Sequence, residues 1–243
     1  GEVTFFPGQA HKNVHYRKLN DDPNFRHALS VAINRQEIID VVYGGIGTPA
    51  QWSVPWGSPY YCEAHAKASV EYDPEKANRM LDRLGLDRKN SDGVRLYPGT
   101  DEPVILNVNT VEGRPLAAVQ MVCQYWQEVG IDAQMKLRSS GLINRYLQLG
   151  IMDIGVHKEG GNFFGPLVAG GFAPTHPAEC GQWNKWVSYL RSHGKAGWQP
   201  PERMYEVERL WNDVLTAPDE QSKHEAWQRL AERTAKYLPI IGI

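Results

Sequence analysis

No surplus of charge, no long apolar run and no dense set of cysteines marks this chain. Lys and Arg total 26 against 28 Asp and Glu, a net charge of −2. The basic surplus or stripe that nucleic-acid binding needs is therefore missing, and no nucleic-acid partner is expected. Two stretches lack charge altogether, Val41 to Cys62 and Gly160 to Ala178. Pro49, Pro55 and Pro59 interrupt the first, Pro166, Pro174 and Pro177 the second, and both are dotted with glycine. A bilayer helix needs about 20 mostly apolar residues with every backbone group satisfied, so both read as loops rather than spans. The start also lacks the basic, apolar, small-residue order of a signal peptide, which fits a protein kept inside the cell or a mature or cut fragment. The three cysteines, Cys62, Cys123 and Cys180, cannot all pair within one chain. Cys123 falls on an apolar helical face and reads as a buried thiol, while Cys62 and Cys180, in the two loop regions, are open to bridging.

Hydrophobic residues make up 42% and charged residues 22%, the composition of an ordinary globular chain. Folding of 243 residues buries roughly 70% of the unfolded surface, enough for a core without metals or disulfides. Val3–Phe6 and His15–Leu19 read as short strands around Pro7-Gly8. Asp22-Pro23 opens a helix whose apolar positions, Phe25 through Val42, keep a 3.6-residue period until Gly44-Gly45. Asp73-Pro74 opens another that stops at Gly85.

The middle of the chain holds the clearest pattern. Val104, Leu106 and Val108 alternate as a strand; Leu116, Val119, Cys123, Trp126 and Val129 form a helical stripe; Ile131, Ala133, Met135 and Leu137 alternate again. Strand, helix, strand in about 35 residues predicts a right-handed βαβ unit with parallel strands. Ser139-Ser140 caps a further helix, residues 152–156 form a third strand, and helices are expected at 183–192, 201–216 and 218–237.

Catalytic motifs fail on required residues. Gly44-Gly45-Ile46-Gly47 follows a helix instead of opening one, so it cannot cradle a phosphate at a helix N-terminus. Gly194-Lys195 lacks the next Ser or Thr, no serine sits in a Gly-x-Ser-x-Gly elbow, and His224-Glu225 has Gln228 where a zinc helix needs histidine. Cys62-Glu-Ala-His65 and His176-Pro-Ala-Glu-Cys180 offer metal-ligand spacings but not the flanks of a zinc knuckle, so no metal and no cofactor is expected. The chain reads as a binder, not an enzyme; a sugar or peptide hydrolase using Asp153 and Glu159 is the alternative of another class.

The positive signal is aromatic. Trp52 and Trp56 lie in the first charge-free stretch, Phe163 and Phe164 in the second, and Trp183 and Trp186 just beyond. Flat rings on proline-stiffened loops suit stacking on sugars or gripping peptide side chains. Trp126, Trp211 and Trp227, at helical spacing, read as core.

The stretch Asn20 to Gly47 resembles the signature of the family 5 extracellular solute-binding proteins, the receptors of bacterial ABC importers for dipeptides, oligopeptides and nickel. Arg26, Ala28, Ala32, Ile33, Asn34, Arg35 and Ile38 carry it; Glu71 to Leu86 matches the next block, and His193 to Ile243 a branch that includes oligosaccharide receptors. The resemblance implies a periplasmic-binding-protein-like α/β lobe, a mixed sheet flanked by helices with a helical C-terminal part. The expected layout of residues 1–243 is hinge-proximal strands at 1–19, an α/β core at 20–156, a cleft loop at 157–182 and helices at 183–243, with the receptor's first lobe absent.

It also implies a periplasmic or extracellular protein, open to lipid anchoring and monomeric, that passes a peptide or oligosaccharide to a membrane permease. Peptide receptors of the family carry a Trp-x-x-Asp-Tyr-like stretch after the third strand, whose aspartate holds the peptide amine. Here Val156 to Phe164 has no aspartate, which leaves Glu159 for that role. The expected ligand contacts are Trp52, Trp56, Glu159, Asn162, Phe163, Phe164, Trp183 and Trp186.

Overall fold

A computed structural model describes residues 3–157, 171–177 and 179–243. At its centre is a five-stranded mixed sheet of β1 (Thr4–Pro7), β2 (Ile105–Thr110), β3 (Asp132–Leu137), β4 (Ile154–His157) and β5 (Ile241–Gly242), ordered β3-β2-β4-β1-β5. β2 runs parallel to both β3 and β4, and β1 runs antiparallel to β4 and β5. The βαβ unit expected from the sequence is present, with helix α6 at Leu116–Glu128 between β2 and β3.

Period-two alternation puts the two faces of the sheet under different helices. Phe5 points into the main core and meets Trp126 of α6 edge-on, ring centroids 5.5 Å apart. Its neighbour Phe6 points the other way, into a small cluster with Ile143 and Leu147 of α7 (Ser140–Leu149). Gly155 opposes Phe6 on β4, where a Cβ would stand 1.9 Å from the Phe6 ring, so only glycine lets the strands pair there.

The helix starts follow side-chain chemistry. Asp22 and Asp73 accept from the backbone N–H groups of Asn24 and Lys76 ahead of α2 (Pro23–Val31) and α5 (Pro74–Arg83), each with proline in its first turn. Ser139 caps α7, and Asp219 caps α10 (Glu220–Tyr237).

Two expectations are corrected. His15–Leu19 is not a strand but part of α1 (Val14–Asp21): the Asn13 side-chain Oδ1 accepts from His15 and Tyr16 N–H, and Tyr16, Leu19 and Asn20 bury one helical stripe. The long helix from Pro23 to Gly44 is also interrupted. Ala32 and Ile33 leave it, and Asn34 restarts the chain as α3 (Arg35–Tyr43) by accepting from Glu37 N–H.

A second core lies beyond the sheet. It joins α8 (Asn184–Arg191), α9 (Glu202–Leu215) and α10 to the irregular segment around the short helix α4 (Glu63–Ala66). Trp211 and Trp227 are buried in it and Trp126 in the first core, as their helical spacing predicts. All three cysteines are buried and free, so Cys62 and Cys180 do not bridge; the Cys180 thiol donates to the Ala173 carbonyl oxygen at 3.3 Å.

Candidate functional site

The order β3-β2-β4 creates a topological switch. The chain leaves β2 through α6 to one side, then returns from β3 through α7 past β2 to the other, with the two helices on opposite faces. In open α/β sheets the crevice beyond the carboxyl ends of such strands is the natural ligand position, because the two loops there diverge. The register fixes which residues share this edge: Thr110 pairs with Leu137, and Thr4 pairs with both His157 and Gly242.

On the β2–β3 side of the edge is a cavity of about 450 Å³ lined by Val111, Glu112, Arg138 and Ser139 among others. The Arg138 backbone N–H donates to the Thr110 carbonyl oxygen at 2.8 Å, which ties the loop after β3 to the end of β2. Its guanidinium lies 5.8 Å from the Tyr146 ring centroid. Arg114 sits on the loop after β2. The Nε atoms of both arginines are buried without a hydrogen-bond partner, as is the Thr110 hydroxyl, and neither arginine is in an ion pair among the described residues. A guanidinium with open donors suits a planar anionic group such as a carboxylate.

On the β5 side is a cavity of about 550 Å³, with Tyr43, Ile46, Trp56, Tyr61, Lys67 and Ile243 in its lining. Gln51 anchors its floor: its amide nitrogen donates to the Ser30 hydroxyl and the Ala68 carbonyl oxygen, and its own oxygen accepts from Gly242 N–H at 2.7 Å. Ile46 is 84% and Trp56 86% exposed, which gives this wall an apolar, aromatic rim.

Of the expected aromatic contacts among the described residues, only Trp56 stands in solvent. Trp52, Trp183 and Trp186 are 3%, 2% and 3% exposed in the second core, which corrects their reading as open loop rings. The cause is packing between distant segments. Trp52 lies 5.3 Å from the Phe172 ring, and a Cβ on Gly171 would stand 2.3 Å from its indole. Trp186 lies beneath the Arg203 guanidinium, 5.2 Å away. Glu159, Asn162, Phe163 and Phe164 lie outside the described residues.

Asp153 precedes β4, at the opposite end of the sheet from the cavities. Its Oδ2 accepts from the backbone and side-chain amides of Asn107 at 2.9 and 2.7 Å, and its Oδ1 faces His11 Nε2 at 3.3 Å. These contacts make it a structural anchor at that end of the sheet. His65 is buried with Nε2 on the Trp52 carbonyl oxygen at 3.0 Å, and burial pulls its pKa down to about 4. No group of three or more His, Cys, Asp and Glu side chains among the described residues is arranged to hold a metal ion. Arg114, Arg138 and Ile46 were not singled out from the sequence as ligand contacts; the available signal was their place just after the strands and helix that end at this edge.

The family described as bacterial extracellular solute-binding proteins, family 5 middle, matches residues 7–169. The oligopeptide-binding protein OppA of Lactococcus lactis subsp. cremoris (strain SK11) is 26% identical over 124 residues, which is 51% of this chain and 21% of that protein. The chain thus spans about a fifth of that relative's length. A solved oligopeptide-binding protein OppA superposes with a TM-score of 0.90 at 25% identity, over 99% of this chain and 40% of its own. The binding protein MelB of Agrobacterium fabrum C58, solved in complex with stachyose, shares the fold with a TM-score of 0.77 at 16% identity, over 99% of this chain and 37% of its own.

Proposed function

The chain belongs to the bacterial extracellular solute-binding proteins of family 5, and on that premise we propose that it is the second lobe of a receptor that captures a peptide or similar small solute for an ABC importer. The mechanism is capture without chemistry. A partner lobe closes on the carboxyl edge of the sheet, the solute stabilises only the closed form, and that form docks on the membrane permease. The Ile243 N–H donates to the Val3 carbonyl oxygen at 3.1 Å, so residues 3 and 243 meet at the edge that carries both cavities. The receptor would work as a monomer in the periplasm or at the outer cell surface, where a lipid anchor is compatible with the fold.

The observation that carries the peptide reading is that Arg114 and Arg138, at the switch point, have no ion-pair partner among the described residues and keep an unsatisfied Nε each. Sugars offer neutral hydroxyls and need no such charge, whereas every linear peptide with a free C-terminus brings a carboxylate. Trp56 would supply the exposed ring, with Trp52, Trp183 and Trp186 holding the wall behind it. Glu159, Asn162, Phe163 and Phe164 would contribute from the segment after β4. An oligosaccharide receptor remains the second reading, favoured by the exposed Trp56 indole.

Calorimetry on the full-length receptor carrying this chain separates the two. Linear peptides should bind, and Arg138→Gln should weaken them about tenfold or more, the usual size of a lost charge-assisted contact. Binding of stachyose but of no peptide would overturn the reading.

A further inference from the structure

We infer that Ser69 is an activated nucleophile, with His27 as its general base, that takes up the acyl group of a small ester at a cavity remote from the solute edge. That cavity, of about 550 Å³, lies between α2, α4 and α10, with Pro23, His27, Ala64, Ala68, Glu232 and Lys236 in its wall. No residue lines both it and either cavity at the carboxyl edge. Ester chemistry here neither needs nor excludes solute capture there.

The fold makes this pair; no local motif does. His27 and Ser69 are 42 residues apart, and the ring Nδ1 lies 2.8 Å from the Ser69 Oγ. The other ring nitrogen, Nε2, lies 3.0 Å from the Lys236 carbonyl oxygen. A carbonyl oxygen only accepts, so the neutral ring carries its proton on Nε2 and leaves Nδ1 as an acceptor. The Ser69 hydroxyl is then the donor, with its proton already aimed at a base. The Lys236 carbonyl does for His27 what a carboxylate does in a Ser-His-Asp triad: it fixes the tautomer and the ring plane. Burial lowers the His27 pKa below 6.5, helped by Arg26 and Lys76 and opposed by the Lys236 hydrogen bond and Glu71. The ring is therefore in its basic form at neutral pH.

The backbone points the same way. Ser69 has φ of 51°, a left-handed conformation that strains a residue with a side chain and persists only where neighbours enforce it. Here the Ser30 hydroxyl donates to the Ser69 carbonyl oxygen at 2.8 Å and itself accepts from Arg35 Nη2 and the Gln51 amide. Ser69 is half-buried and directly follows Ala68 of the cavity wall. The small side chains of Ala64, Ala68 and Ala235 leave room for a short apolar acyl chain. Lys236 and Asn24 bring N–H donors to the same wall for the developing oxyanion.

Ser69 Oγ attacks the ester carbonyl carbon as its proton passes to His27 Nδ1. The bond to the leaving alcohol breaks, the alcohol takes that proton, and Ser69 is left acylated. Water then gives a proton to the same nitrogen as it attacks the acyl carbon, which releases the carboxylic acid and restores the hydroxyl.

The test uses the full-length receptor with p-nitrophenyl butanoate and, separately, with a fluorophosphonate that loses fluoride to the attacking serine. Release of p-nitrophenol should begin with a burst of about one equivalent, the mark of an acyl-enzyme. Mass spectrometry should find the butanoyl and phosphonyl groups on the peptide carrying Ser69. Ser69→Gly should abolish both modifications and still fold, because glycine takes φ of 51° without strain. His27→Gln, whose amide can still donate to the Lys236 carbonyl but takes no proton, should slow both by about a hundredfold or more. Butanoyl groups on lysines alone, phosphonyl groups spread over exposed serines, or a wild-type rate in His27→Gln would each overturn the proposal.

Discussion

Acid should loosen the wall behind the β5 cavity through a single imidazole. His65 is buried on α4, its ring 4.5 Å from the Phe172 ring, and its Nε2–H donates to the Trp52 carbonyl oxygen. Burial lowers its pKa from 6.5 to about 4, with the backbone hydrogen bond opposing that shift. The folded value lies below the unfolded one, so the unfolded chain takes up the proton first. Stability is therefore full above pH 6.5 and falls as the pH drops towards 4. A tenfold difference in proton affinity is worth about 1.4 kcal/mol, so the full window is worth about 3 kcal/mol and the loss between about pH 7 and about pH 4.5 is about 2 kcal/mol. His27 titrates in the same direction, and Glu71, Glu206, Asp219 and Glu220, whose carboxyls are held below their ordinary values, add losses at lower pH. The comparison that isolates His65 is thus against His65→Gln, whose amide can still donate to Trp52 but does not titrate. Urea unfolding at the two pH values should show the variant losing about 2 kcal/mol less than the wild type on acidification. Equal losses would mean that His65 is protonated in the fold, and the burial argument would be wrong.

Trp183→Ala should cost about 3–5 kcal/mol in urea unfolding, because it empties a fully packed site in the second core; a loss below about 1 kcal/mol would show that the ring is not core. Trp211→Phe should lower the melting temperature and leave peptide affinity of the full-length receptor within about twofold, since Trp211 packs on α9 away from the edge. Gly150→Ala should destabilise by more than the about 1 kcal/mol typical of a left-handed position, since φ is 66° and the new Cβ would stand 2.7 Å from the Trp198 ring; a neutral melt would refute that contact. Arg35→Met should cost about 3 kcal/mol, because it removes the guanidinium donors to the Gly242 and Ser30 carbonyl oxygens and to the Ser30 hydroxyl, all buried; an unchanged urea midpoint would refute this.

How far the sequence speaks depends on the range of the forces involved. The βαβ unit was legible because periods of 2.0 and 3.6 residues are local, and the starts of α2, α5, α7 and α10 because a capping carboxylate or hydroxyl acts on the next three residues. α1 was missed although its cap is equally local: Asn13 was not read as a cap, and Tyr16, Leu19 and Asn20 make a stripe too short to stand out as a helical period. The tryptophans show the opposite limit. Trp52 and Trp56 share a Gly- and Pro-rich segment, yet one lies under Phe172 and Gly171 and the other in solvent. That difference is made by chain more than 100 residues away, and nothing in the local pattern encodes it. Arg114 and Arg138 acquire meaning only once the strand order puts the loops after β2 and β3 at a switch point.

The residues that identify the family do a different job from those proposed to meet the solute. Arg26 is fully buried, with Nε and Nη2 donating to the Tyr237 and Leu238 carbonyl oxygens and Nη1 to that of Asn20. Arg35 reaches the carbonyl oxygens of Gly242 and Ser30 and the Ser30 hydroxyl. Neither has a carboxylate partner among the described residues, and burial brings both down to about 9, still cationic at neutral pH. Such charges are tolerated because each guanidinium offers five donors in a rigid plane, enough to satisfy several carbonyls of irregular backbone at once, which a lysine cannot do. Their targets lie at the end of α10 and on β5, so the two arginines clamp α2 and α3 to the segment that brings β5 to the cavity edge. The recognisable motif thus secures the position of the edge. What the edge binds is left to residues in loops whose sequence can vary without disturbing the clamp: Trp56, Arg114 and Arg138.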